Sequence, residues 1–336
     1  MNVVPFKSAW WLRGPHSQTL WSTLFRRKEI KIPLRRERME LPDGDFVDLD
    51  WSPEEHGPIV LILHGLEGSV TSPYAKGMLQ TLNQYGWRAA VIHFRGCSGE
   101  LNRLPRIYHS GDTDDVAHVV KMLKEREPFT PIAAMGFSMG GNVLLKWLGE
   151  TKAENPLAAA IAISVPYDLD KSVEKLQSGF SRLYQWHLLR SLKQKVLTKF
   201  SRQPSPIPLP PMMNVRTIRE FDDKITAPLH GFGSAKHYYQ IASCKPYLRS
   251  INVPTLLLQA KDDPFMTPDV LPLAYDLSPS VKLELSEKGG HVGFVGGVYP
   301  WRPRYWLEYR IPLFLKYHLP YRANFEAANA PVNGKI

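Results

Sequence analysis

The chain has 336 residues, 43% of them hydrophobic and 22% charged, with a formal net charge of +10. That length can bury the core of one large α/β domain with room for an insertion. Its longest apolar stretches, such as 58–63 and 157–165, break well short of the ~18 residues of a membrane-spanning helix, so no transmembrane segment is expected. The opening residues Met1 to Lys7 lack a basic region followed by a long apolar run, so no secretory signal is expected either. Cys97 and Cys244 are too few for a disulfide framework and have no metal-ligand spacing, which makes a reducing cytoplasm the expected location. The charge is uneven: residues 166–250 hold 14 Lys and Arg against 6 Asp and Glu, and residues 1–40 hold 9 against 3. No zinc-finger, RRM, KH or helix-turn-helix signature accompanies it, so nucleic acid is not an expected partner.

In chain order, Lys31 to Glu40 and Phe46 to Trp51 read as two strands around an Asp43-Gly44 turn. Ile59 to Leu63 is apolar on both faces, as a strand inside a covered parallel sheet must be. A helix from Pro73 to Tyr85 ends at Gly86, a strand runs from Trp87 to Phe94, and a helix spans Thr113 to Glu127 with Asp114 and Asp115 near its start. Strand Ile132 to Phe137, a helix reaching Gly149 and strand Leu157 to Val165 follow. This alternation predicts a parallel, doubly wound sheet. From Pro166 to Ser250 the rhythm breaks into a helical, basic and proline-containing segment. Alternation resumes with strand Thr255 to Gln259, a helix from Pro268 to Asp276, strand Val281 to Leu285 and a closing helix from Tyr305 to Tyr317. The expected organisation is a core from 1–165 and 251–320, an inserted cap over 166–250, and a flexible tail over 321–336.

Gly136-Phe137-Ser138-Met139-Gly140 carries the chemistry. It is the G-x-S-x-G elbow in its strand-turn-helix setting, where glycines two before and two after the serine let strand and helix nearly touch. A serine hydroxyl is a weak nucleophile until a base takes its proton and a third group orients that base. The order serine, acid, histidine is met by Asp263 in Asp262-Asp263-Pro264-Phe265 and by His291 after Gly289-Gly290, each just past a strand. Asp262 stays open as the acid; Asp263 is favoured because it lies three residues after Ala260, the small residue ending its strand. The backbone amides of Met139, directly after the serine, and Leu66, after the third strand, are the expected oxyanion donors.

Three further features have competing readings. His64 could suggest a metal, but no second ligand stands at the right spacing, so loop support is expected. Cys97 in Arg95-Gly96-Cys97-Ser98-Gly99 reads as a reactive thiol or, more in keeping with cysteine generally, as a packed turn residue. The stretch Trp10-Trp11-Leu12-Arg13 through Trp21 and Phe25-Arg26-Arg27-Lys28 mixes indoles with basic residues. It could rest on a membrane interface as a peripheral contact, or pack over the core beside the pocket mouth, the commoner use of aromatic residues.

Together, His64-Gly65-Leu66-Glu67-Gly68, Arg95 to Gly99, Gly111-Asp112-Thr113-Asp114-Asp115, Gly136 to Asn142, Asp262 to Phe265 and Gly290-His291-Val292-Gly293-Phe294 resemble the YheT-like branch of the α/β-hydrolase superfamily. That branch groups bacterial esterases related to eukaryotic ABHD lipases. The likeness runs from Trp10 to about Leu319; Met139-Gly140-Gly141 departs from the Leu-Gly-Ala frequent in relatives. It implies an α/β-hydrolase fold with a mostly parallel eight-stranded sheet, and carboxylester hydrolysis by a triad of Ser138, Asp263 and His291. No cofactor or metal is expected. The expected partner is a small-molecule ester, acyl or lipid-like, and the basic cap points to a negatively charged one such as a phospholipid or acyl phosphate. Two alternatives remain: an acyltransferase or thioesterase on the same fold, and a non-catalytic binding protein.

Overall fold

The computed structural model describes residues 5–26 and 32–320. Its elements begin with α1 (Pro15–Phe25), β1 (Arg35–Glu40), β2 (Phe46–Trp51), β3 (Ile59–Leu63), α2 (Pro73–Gln84), β4 (Arg88–His93), α3 (Asp114–Arg126), β5 (Ile132–Phe137), α4 (Met139–Thr151) and β6 (Ala159–Ile163). An all-helical stretch follows: α5 (Leu169–Leu176), α6 (Ser181–Phe200), α7 (Ile218–Phe221), a π-type turn (Asp222–Thr226), α8 (Ala227–Leu229) and α9 (Ala235–Ala242). The chain then returns through β7 (Thr255–Ala260), β8 (Val281–Ser286), β9 (Val295–Tyr299), β10 (Arg302–Tyr305) and α10 (Trp306–Leu315).

Eight strands form one sheet in the order β1-β2-β4-β3-β5-β6-β7-β8. The β1–β2 and β2–β4 pairs are antiparallel, and every pairing from β4 to β8 is parallel. Strand alternation divides the interior into two cores. Ile59, Leu61 and Leu63 of β3 join α3 and α4 on one face, while Val60 and Ile62 join α2 and α10 on the other. Both faces are covered, which is why β3, β5, β6 and β7 are buried end to end. Because β3, β5, β6, β7 and β8 are parallel, their carboxyl ends share one edge, where a doubly wound sheet gathers its functional loops.

Two of the segments that carry the resemblance, Arg95 to Gly99 and Gly111 to Asp115, stabilise that edge. Arg95 is buried and sends paired bonds of 2.8 and 2.6 Å to Asp115 at the start of α3, with further contacts to Asp43 and Asp45. Arg106 binds Asp112 at 2.7 Å. The glycine-rich turn holding Arg95 and the acidic start of α3 are thus two halves of one buried ionic network.

The structure departs from the sequence reading in four places. The first strand begins at Arg35, and the expected starting residue Lys31 lies outside the described residues, as does the tail over 321–336. The helix expected over 268–276 is only two short 3-10 turns, Pro268–Val270 and Ala274–Asp276, because Pro272 forces Leu271 into an extended conformation with ψ of 137°. The other two are additions: helix α1 and the β9–β10 hairpin. The α1 side chain Gln18 is fully buried, donating to the Val295 carbonyl at 2.9 Å and accepting from the Val295 amide at 2.8 Å, so α1 is clamped beside the loop that ends in β9.

Candidate active site

Ser138 sits between β5 and α4 with φ of 52°, in the left-handed region that non-glycine residues rarely enter. The strain is held by packing from both sides. A Cβ on Gly136 would lie 2.3 Å from the Gly140 carbonyl oxygen, and one on Gly140 would lie 2.5 Å from the carbonyl oxygens of Leu63 and His64. These two positions therefore tolerate only hydrogen as a side chain. The Ser138 amide donates to Ile163 at 2.8 Å, which fixes the elbow against β6.

The histidine arrives on the loop after β8. Gly289 and Gly290 have φ of 153° and 59°, and the turn they make brings the imidazole over the serine. His291 Nε2 lies 2.9 Å from Ser138 Oγ, and Nδ1 lies 2.9 and 3.1 Å from the two carboxylate oxygens of Asp263. With Nδ1–H donating to the carboxylate, Nε2 is left as the acceptor for the serine proton. Asp262 faces elsewhere: its Oδ1 accepts from the Gly290 amide at 2.8 Å, and burial pushes its carboxyl up from the ordinary value. Of the two acids that sequence left open, the structure brings Asp263 to the imidazole and uses Asp262 to tie down the glycine turn.

Residues that the sequence did not single out hold this arrangement. Gln259 Nε2 reaches Asp263 Oδ2 at 3.3 Å, and the Phe265 amide donates to Asp263 Oδ1 at 2.9 Å. The Phe265 ring stacks on the His291 imidazole. From α1, Thr19 Oγ1 accepts the His291 amide proton at 2.9 Å, and Ser164 Oγ accepts that of Val292 at 3.0 Å. Proximity of Phe265 to the Asp-Asp-Pro turn was a usable signal for one of them. Nothing local in the sequence points from Thr19 or Gln259 to this loop.

The expected oxyanion donors also converge here. Met139 is the first residue of α4, where an amide has no partner within the helix and the helix dipole favours negative charge. Leu66 lies between two committed amides: Gly65 donates to the Tyr74 hydroxyl and Glu67 to the Tyr108 hydroxyl, both at 2.9 Å. No acceptor for the Leu66 amide is found among the described residues. Both residues line the pocket that reaches Ser138 and His291. Glu67 carries a positive φ of 56° and is gripped by the Tyr108 hydroxyl at 2.7 Å and by Lys195 Nζ of α6 at 2.6 Å.

His64 supports this loop. Its Nδ1 pairs with the Gly65 carbonyl at 2.7 Å, its Nε2 accepts from the Phe94 amide at 3.2 Å, and burial lowers its pKa to about 3, so the ring is neutral. Cys97 packs in its turn with Sγ 3.0 Å from Lys195 Nζ, and burial pushes the thiol up to about 11. It is far from a thiolate at neutral pH. Among the described residues no three His, Cys, Asp or Glu side chains gather as a metal site.

Above the serine, α5, α6, α7, the π-type turn and α9 line a partly open pocket. Its walls are Leu169, Val173, Leu176, Leu188, Leu192 and Phe221, and no Lys or Arg lines it. Among the described residues the one carboxylate in the lining is Asp222, which accepts from Thr226 Oγ1 and Tyr239 Oη, both at 2.7 Å. Burial raises its pKa to about 6. The positive charge of this segment therefore does not face the pocket, and the expectation of an anionic ester gains nothing from it.

The alpha/beta hydrolase fold family model matches residues 58–298. An Escherichia coli protein named "Putative esterase YheT" is 46% identical over 310 residues, covering 90% of this chain and 91% of its own. Human "Phospholipase ABHD3" is 30% identical over 311 residues, covering 89% of this chain and 76% of its own. Among solved structures, the Pyrococcus furiosus esterase Pf2001 superposes with a TM-score of 0.56 at 18% identity, covering 95% of this chain and 99% of that one, a likeness of fold.

Proposed function

Because the chain belongs to the α/β-hydrolase fold family, we propose that it is a serine esterase that cleaves carboxylic esters with apolar acyl groups through an acyl-enzyme. The observation that carries this reading is the 2.9 Å contact from Ser138 Oγ to His291 Nε2, with Asp263 on the far side of the ring. The esterase and phospholipase names of the relatives agree with it.

In the proposed reaction His291 takes the serine proton as Oγ attacks the ester carbonyl, and the resulting imidazolium is stabilised by Asp263. The oxyanion is received by the amides of Leu66 and Met139, each donor contributing about 3 kcal/mol in comparable sites. His291 returns the proton to the leaving alcohol, then activates water for deacylation. Every proton and bond is handled by the chain's own groups and water, so the cycle calls on no cofactor.

Residues 166–250 act in this proposal as a cap on the core formed by 1–165 and 251–320, its apolar inner wall receiving the acyl chain. The aliphatic lining supports an acyl substrate over a compact polar one. A non-catalytic binding protein fits less well, because serine and imidazole are in contact and open to the pocket. Labelling with a fluorophosphonate probe tests the proposal: wild type should be modified at Ser138 and Ser138→Ala should not. A folded wild type that stays unlabelled and hydrolyses no ester overturns it.

A further inference from the structure

Three stretches with no Asp or Glu, residues 5–26, 177–219 and 288–307, together hold 14 Lys and Arg, while the rest of the chain holds 28 against 32 acids and is net acidic. The fold brings these stretches side by side. The Ala9 amide donates to Val295 at 3.1 Å and Trp10 Nε1 to the Val298 carbonyl at 2.9 Å, joining the first stretch to the β9–β10 hairpin. His16 joins it to α6, its ring 4.3 Å from Phe180 and its Nδ1 3.2 Å from the Tyr184 hydroxyl.

On these adjoining stretches large apolar side chains are left in solvent. Trp301 is 75% exposed, Trp10 65% and Trp186 57%, with Val298, Tyr299 and Leu183 exposed beside them. The neighbouring Trp11 and Trp21 pack together at 4.4 Å against the Ala9, Leu12 and Val295 cluster. The indoles of the opening stretch are thus divided: Trp11 and Trp21 serve packing and Trp10 is turned outward. Interleaved with the exposed apolar groups are Lys7, Arg13, Arg182, Arg190, Arg302 and Arg304, all exposed. Among the described residues none of these six forms an ion pair. Lys195 and Lys199 of the same acid-free stretch turn inward instead, to Glu67 and Asn102.

Exposed indoles among cations that form no ion pair within the described residues fit a surface that is apolar below and anionic above, which is the headgroup boundary of an anionic bilayer. A folded acidic protein would match the charge but offers no apolar layer for scattered indoles to enter. We propose that this face docks the chain onto anionic lipid bilayers, with Trp10, Trp186 and Trp301 in the headgroup boundary and the arginines on lipid phosphates. The location suits the pocket. Leu188 and Leu192 of α6 line it, and Tyr184 reaches His291 through Phe265 at 4.9 Å. The inference does not rest on the esterase reading, since docking needs no turnover.

Sedimentation with vesicles of phosphatidylcholine alone, or with added phosphatidylglycerol, tests it. Wild type should favour the anionic vesicles by at least ~10-fold. The Trp10→Ser/Trp186→Ser/Trp301→Ser variant should lose ~10-fold in binding, and Arg13→Glu/Arg182→Glu/Arg302→Glu should lose the preference for phosphatidylglycerol. Both should keep the wild-type circular dichroism and rate on a short water-soluble ester, because none of these residues touches the serine or its partners. Quenching of wild-type tryptophan fluorescence by brominated lipid provides a readout that needs no variant, and quenching is expected. Wild type that neither sediments nor is quenched overturns the proposal. So does a tryptophan variant that sediments like wild type, which would reduce the contact to charge adhesion on any polyanion.

Discussion

The ring of Phe265 lies parallel to the imidazole of His291, with centroids 3.9 Å apart and planes 1° apart. This stack fixes the one rotation of the imidazole that its two hydrogen bonds leave soft, and it covers a face that water could otherwise reach. Phe265→Leu keeps an apolar side chain and removes the plane. Steady-state kinetics should show kcat lower by ~10-fold with KM changed much less, the signature of an interaction that matters in the transition state. Unchanged kcat would mean that the hydrogen bonds alone position the ring.

The neighbouring acids should separate cleanly. Asp263→Asn leaves the shape of the site but removes the charge and the tautomer control, so turnover should fall by ~10³ to 10⁴. Asp262→Asn keeps an Oδ1 that accepts from the Gly290 amide and loses only the charge, so it should stay within ~10-fold. Turnover numbers on one ester, with circular dichroism as the fold control, decide between them. Equal losses would move the role of acid away from Asp263.

Lys195 connects the helical insertion to the proposed oxyanion loop. It reaches from α6 to Glu67, whose amide is adjacent to that of Leu66 and whose side chain also accepts from Tyr108. Lys195→Met keeps the stem and removes the ammonium, leaving a carboxylate with little exposure and one partner fewer. If the pair positions the loop, kcat should drop by ~10-fold with KM nearly constant, and Lys195→Arg should recover part of it. A change in thermal stability alone, with kcat intact, would show a purely structural contact.

Asp222 sets a pH dependence of stability. Its carboxyl is raised from 3.8 to about 6, first by burial, with the hydrogen bonds from Tyr239 and Thr226 opposing. The folded state therefore holds the proton more tightly than the unfolded state does. The stability associated with the protonated form is fully present below pH ~4, is lost as pH rises to ~6, and stays lost above that, a difference on the order of 3 kcal/mol. Denaturant unfolding of wild type and Asp222→Asn should show the variant gaining relative stability across that window. A constant difference from pH ~4 to ~7 would place the carboxyl's pKa at its ordinary value.

The sheet was legible because its strands are continuous apolar runs that only burial on both faces explains, as in Ile59–Leu63. Ser138 was legible because G-x-S-x-G leaves a steric signature, two glycines that cannot bear a Cβ. His291 and Asp263 were legible from chain order and from loops that open at the ends of successive strands. The spacing after Ala260 already favoured Asp263 over Asp262, and the structure adds that its carboxylate is the one facing the ring. Helix α1 was missed because Pro15–Phe25 has no acidic first turn and no basic last turn, and its role depends on Gln18 bonding a strand far away in sequence. The β9–β10 hairpin was missed because Val295-Gly296-Gly297-Val298-Tyr299 has neither alternation nor strong strand propensity. The helix expected over 268–276 failed for the opposite reason, a plausible apolar spacing overridden by a proline in its middle.

The bond from the His291 amide to Thr19 spans 272 residues. During synthesis a ribosome makes Ser138 and its elbow long before His291, and Thr19 waits through nearly the whole of translation for the loop it steadies. If the proposed reaction holds, a truncated product that stops short of residue 291 carries the serine without its proton acceptor and would cleave no ester.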